Sequence, residues 1–117
     1  LSDLNRAILE FGLAVSGIQV PVVCASDFDF EGSKSDLVLD MCLKLGADEY
    51  IFGANGRDYA DHGAFLREGI TIRFQEFLHP VYPQRYSGFV PNLSFLDALF
   101  NVGPRLPDLV RDSASFF

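Results

Sequence analysis

The feature that most constrains this chain is its alternation of two hydrophobic periods, most segments ending at a glycine. Leu4, Ile8, Phe11 and Val15 step at i, i+4, i+7 and i+11 behind the potential cap Ser2 and stop at Gly17, predicting an amphipathic helix. Residues Ile18 to Ala25 are β-branched and almost continuously apolar, the pattern of a strand buried on both faces. Pro21 removes a ladder donor there and places that strand at an edge or kinks it. A second helix is predicted from about Asp36 to Leu45, capped by Ser33 or Ser35, buried along Leu37, Val38, Met41, Cys42 and Leu45, and stopped by Gly46. Glu49 to Phe52 reads as a second strand and Asp61 to Glu68 as a third helix. Ile70 to Phe77 alternates apolar Ile70, Ile72 and Phe74 with Thr71, Arg73 and Gln75, predicting a third strand. Ser94 caps a final helix from Phe95 to Asn101.

Helices alternating with strands predict an α/β fold: a Rossmann-like three-layer sandwich with a small parallel sheet and crossover helices, part of a larger domain. Residues 1–104 are expected to form one α/β domain, and residues 105–117 a tail with a short, weakly held helix. Parallel strands point their carboxyl ends the same way, so the loops after strands one, two and three are expected to gather on one edge.

Composition narrows the partners. A formal charge of -7 without Lys or Arg clusters excludes nucleic-acid backbones and anionic membranes, leaving a small molecule or a protein. Cys24 and Cys42 lie in apolar runs, which predicts buried thiols in place of a disulfide framework. No apolar stretch approaches membrane-spanning length, and no basic region followed by an apolar run opens the chain, so a cytoplasmic protein is expected. The chain begins at Leu1, which is expected of a fragment or a processed polypeptide.

The candidate chemistry lies in three polar loops. In Leu78-His79-Pro80-Val81-Tyr82-Pro83-Gln84, two prolines hold an extended backbone that carries an imidazole, a phenol and an amide. Imidazole is the side chain whose ordinary pKa lies nearest neutral, so His79 is either the proton-transfer group or an ordinary histidine bonded to a carbonyl. The loop from Gly53 through Asn55, Gly56 and Arg57 to Tyr59 either lends backbone N–H groups to an anion, partnered by Arg57 or Lys34, or is a tight turn; a hairpin is a third reading. Asp27, Asp29 and Glu31 alternate as solvated acids or as oxygen ligands for a hard cation. With only His62 and His79 as histidines, no zinc site is predicted and no cofactor is named. Asp97 either reaches toward the site or favours the dipole of the helix it sits in.

The motifs Glu31-Gly32-Ser33-Lys34, Tyr50-Ile51-Phe52-Gly53, Gly56-Arg57-Asp58-Tyr59, His79-Pro80-Val81-Tyr82-Pro83-Gln84 and Phe89-Val90-Pro91-Asn92-Leu93-Ser94, with Leu96-Asp97, resemble the WbqC-like family. The resemblance spans about residues 3 to 103 and corresponds to the family's carboxyl-terminal half. Phe52 and Arg85 depart from its usual residues, and its His-Gln-Pro-x-Tyr-x-Pro-Trp stretch has no counterpart here. The resemblance implies a bacterial protein of O-antigen or surface-polysaccharide biosynthesis, with transfer of an amino acid such as glycine onto a sugar as the suggested activity. The implied partners are an activated sugar, nucleotide-sugar or amino acid, together with a missing amino-terminal half or a second copy. His79, Tyr82 and Gln84 are the expected catalytic set; Lys34, Gly53, Asn55, Gly56, Arg57 and Tyr59 the expected ligand-binding set; and Glu31, Ser94 and Asp97 the supporting one. A non-catalytic module that binds a nucleotide-sugar, glycan or protein is the alternative.

Overall fold

The computed structural model describes residues 1–116. It divides into two compact units, Leu1–Val22 with Phe77–Ala114, and Val23–Glu76 with the residues after Ala114.

The second of these carries the α/β pattern. Helix α2 (Lys34–Leu45) ends at Gly46 with φ 67°, the left-handed stop its glycine predicts. Strands β1 (Glu49–Phe52) and β2 (Thr71–Phe77) pair in parallel, with Tyr50 opposite Ile72 and Phe52 opposite Phe74. Helix α3 (His62–Arg67) makes the crossover, and its first turn is capped by the Asp61 carboxylate, which accepts from Ala64 N–H at 3.0 Å. A short strand β3 (Ala114–Phe116) follows β2 in the sheet order β1-β2-β3, so the sheet is small and mixed. Phe52, Phe65, Phe74, Ile70 and Cys42 form this unit's buried core. The Phe52 ring lies 5.7 Å from both Phe65 and Phe74, and burial pushes the Cys42 thiol above its ordinary pKa.

The other unit is built from α1 (Ser2–Val15), the proline-framed segment, α4 (Phe95–Val102) and α5 (Leu106–Asp112). Tyr82, Ala98, Val102 and Leu106 form its core, with Val15, Phe89, Leu99 and Leu109 against them. Leu106 is among the most buried side chains in the chain, so the helix expected to be weakly held is anchored at its first residue.

Four expectations are corrected. Residues 18–24 form no strand: Pro21 lacks an N–H, and β1 has no neighbour beyond it among the described residues to accept a further ladder. The loop holding Glu31 and Lys34 therefore does not follow a strand, and the three polar loops do not share one edge of a three-strand parallel sheet. The parallel pairing of β1 with β2 rules out the hairpin reading of Asn55-Gly56. The cap positions also differ. Ser33 stands at the start of α2 without a side-chain bond, and α1 opens at Ser2 itself; Ser35 Oγ instead accepts from Asp61 N–H at 2.9 Å, joining the starts of α2 and α3.

Gly56 lies in a 3₁₀ turn (Ala54–Asp58), where a Cβ would stand 2.5 Å from Phe52 Cβ and 2.6 Å from its ring. The glycine is a packing requirement of the Phe52 cluster. Gly56→Ala is expected to destabilise the fold by about 1–3 kcal/mol, measured by chemical denaturation, because backbone or ring must shift to admit the methyl group.

Candidate functional site

The carboxylate of Asp97, in the first turn of α4, organises the proline-framed segment. Its Oδ2 accepts from Tyr82 Oη at 2.9 Å and from Gln84 Nε2 at 2.9 Å, while Oδ1 accepts from Asn101 Nδ2 at 3.1 Å. Gln84 spends the rest of its amide on one partner: Nε2 also donates to Val90 O, and Oε1 accepts from Val90 N–H, each at 2.9 Å. Phenol and amide thus arrive at one carboxylate from a loop that two prolines keep extended. Ser94 Oγ caps the same helix by accepting from Leu96 N–H at 3.2 Å.

His79 is fixed by both nitrogens. Asn92 N–H donates to Nε2 at 3.0 Å, so Nε2 is an acceptor and the proton lies on Nδ1, 2.9 Å from Pro80 O. Phe77, Tyr82 and Phe89 surround the ring at centroid distances of 6.2, 6.4 and 5.7 Å. Asn92 holds φ 59°, a left-handed conformation that Asn tolerates better than most residues and that aims its N–H at the imidazole. Sequence reasoning placed Asn92 only within a motif; the Pro91-Asn92 pair ahead of a helix cap was the signal that a special turn stands there. Asn101, one helical turn beyond Asp97, was likewise unmarked.

A cavity of about 360 Å³ opens beside this ring. Phe95, Ala98, Leu106, Leu109 and Val110 give it an apolar floor, and His79, Tyr82, Asn92 and Ser94 supply its polar groups. An apolar pocket with a few fixed polar groups is the usual form of a small-molecule site.

The predicted ligand-binding residues of the other unit are placed differently. Arg57 is paired with Glu76, Nη2 to Oε1 at 2.8 Å, and its guanidinium lies 5.2 Å from the Phe74 ring centre. Gly56 N–H is engaged by Gly53 O at 2.8 Å, Asn55 is exposed, and Tyr59 stands edge-on to Phe52. Lys34 is exposed at φ 49°, and Glu31 N–H donates to the Asp40 carboxylate at 2.8 Å. That bond, with Lys44 beside it, holds the Asp40 carboxyl below its ordinary pKa. Among the described residues no three His, Cys, Asp or Glu side chains converge as metal ligands, and no helix is long and apolar enough to cross a membrane. The structure thus gathers His79, Tyr82, Gln84, Ser94 and Asp97 within one unit. Glu31, Lys34, Gly53, Asn55, Gly56, Arg57 and Tyr59 belong to the other.

Burial, with the hydrogen bond and charge of Asp97, pushes the Tyr82 phenol above its ordinary value of 10.0. The folded state therefore keeps a proton that the unfolded state loses near its ordinary pKa, and this contribution to stability is complete below about pH 10 and lost as pH rises beyond it. Tyr82→Phe is expected to cost about 1–3 kcal/mol near neutral pH, since a bond to a charged acceptor is lost. Denaturation midpoints should also show a shallower alkaline fall in Tyr82→Phe than in the wild type.

The chain has relatives by sequence. The protein-family description "WbqC-like protein family" matches residues 1–108. The chain is also similar to a protein of Mycobacterium tuberculosis (strain ATCC 25618 / H37Rv), named as uncharacterized protein Rv1507c, at 32% identity over 112 residues. That match takes in 95% of this chain but 48% of the relative, so the chain spans about half the length of the curated relative it matches. No solved structure matches. The matched stretch contains the whole proline-framed segment and the helix bearing Asp97, and on that coverage the chain belongs to the WbqC-like protein family.

Proposed function

We propose that this chain supplies one half of a cytoplasmic bacterial transferase that moves an aminoacyl group, such as glycine, onto an activated sugar in O-antigen or surface-polysaccharide biosynthesis. The observation that carries the reading is the orientation of His79, an imidazole locked on the wall of a 360 Å³ pocket within the family-matched stretch. In such a transfer the acceptor oxygen or nitrogen bonds to the donor carbonyl carbon. The bond from that carbon to the leaving group breaks with its electron pair, and the acceptor proton passes to a base. His79 Nε2 carries the lone pair for that proton once Asn92 N–H releases it.

Tyr82 and Gln84 act as positioning residues through Asp97, with Ser94 holding the helix start and Glu31 supporting the other loop. Arg57, Lys34 and the Gly53-Ala54-Asn55-Gly56 turn, with Tyr59, form an anion-binding element within their own unit, where Arg57 exchanges Glu76 for the anion. The small sheet belongs to a Rossmann-like three-layer sandwich that the additional half of longer family members completes.

One observation favours a second reading, a non-catalytic module for a nucleotide-sugar or glycan: both His79 nitrogens are already engaged by backbone groups. Ligand-observed NMR with nucleotide-sugars and free glycine, paired with turnover assays, separates the two. The transferase reading predicts binding and turnover in the longer polypeptide, with His79→Ala lowering turnover by about 10²-fold or more while binding persists. Binding that His79→Ala leaves intact, with no turnover by the wild type, establishes the module instead.

A further inference from the structure

Helix α1 has an amphipathic sequence, yet none of its residues is buried. Leu4, Ile8, Leu9 and Phe11 remain 59, 46, 51 and 49% exposed. Beside it, within the same unit, runs an almost wholly apolar groove of about 550 Å³, lined by Ile8, Leu9, Leu13, Phe95, Leu106 and Val110. Gly12 faces Phe95, whose ring a Cβ there would meet at 3.4 Å, an ordinary van der Waals distance. A helix stripe of this kind ordinarily faces a core, and a contiguous exposed apolar face marks a surface that something covers.

We infer that this groove is the seat of the additional half carried by longer members of the family, which docks an apolar face of its own against α1. The matched region accounts for 48% of the mycobacterial relative, so about as much chain again is available there in the same polypeptide. A tethered segment docks at a high effective concentration, which favours it over a second copy meeting the groove from solution. The inference concerns this seam alone and stands whether the protein is a transferase or a binding module.

The test is the thiol-modification rate of Leu9→Cys with Cys24 and Cys42 replaced by serine, measured in the 117-residue chain and in the whole polypeptide encoded by its reading frame. Modification is expected to be fast at every concentration in the short chain and at least about tenfold slower in the longer one, as protection by packing requires. Leu66→Cys, at a position 78% exposed in the other unit, should be protected less than Leu9→Cys. Ile8→Cys repeats the measurement should Leu9→Cys fail to fold. Equal rates in the two polypeptides overturn the inference, as does a reading frame that adds no further half. Protection that grows with concentration in the short chain also overturns it, by assigning the groove to a second copy.

Discussion

The arrangement around His79 depends on one carboxylate. Asp97 draws a phenol and a primary amide from the proline-framed segment onto one oxygen and an asparagine amide onto the other. A charged acceptor that satisfies several part-buried donors is worth more than the sum of isolated surface bonds, because each donor left unpaired would bear its own desolvation cost. Gln84 passes this constraint to Val90, and the same stretch of backbone reaches Asn92, whose N–H fixes the imidazole. The prolines limit the backbone and the carboxylate selects one of the conformations that remain. The result is a ring whose direction is set before any ligand arrives.

What the sequence made legible follows from which interactions are local. Gly46, Asp61 and Ser94 end or begin helices where their own conformational and capping preferences predict, and the period-two pattern of Ile70 to Phe74 appears in β2 with Ile72 and Phe74 facing inward. Residues 18–25 have the composition of a buried strand, but a strand exists only against a partner, and the described residues offer none beyond β1. The stripe of α1 was equally readable as a period and equally silent about what covers it. Leu45 shows the same limit: it continues the helical stripe of α2, yet it is 48% exposed.

The candidate site divides along the same line. Proline spacing pointed to His79, Tyr82 and Gln84 as a rigid group, but the acceptor that unites the last two lies at Asp97, on a helix of its own, and sequence left its role open between the site and the helix dipole. Asn92 contributes through its backbone, so its side-chain chemistry gave no hint; only its tolerance of positive φ did. Gly56 carries a requirement of another kind. The glycine of a loop that sequence left open between an anion turn and a tight turn lies against the Phe52 ring, 2.6 Å from where a Cβ would stand. Arg57, read as the charged partner of an anion, is paired with Glu76 and lies over the face of Phe74.

The most direct test of the account is ¹⁵N NMR of the His79 imidazole in the wild type and in Asp97→Ala. The account predicts a wild-type ring locked in one neutral form, protonated at Nδ1 and hydrogen-bonded as an acceptor at Nε2. In a folded Asp97→Ala variant the two nitrogens should move toward the averaged shifts of exchanging tautomers, as the segment loses the anchor of Tyr82 and Gln84. Unchanged, fully locked shifts in Asp97→Ala would contradict the claim that this carboxylate sets the direction of the ring.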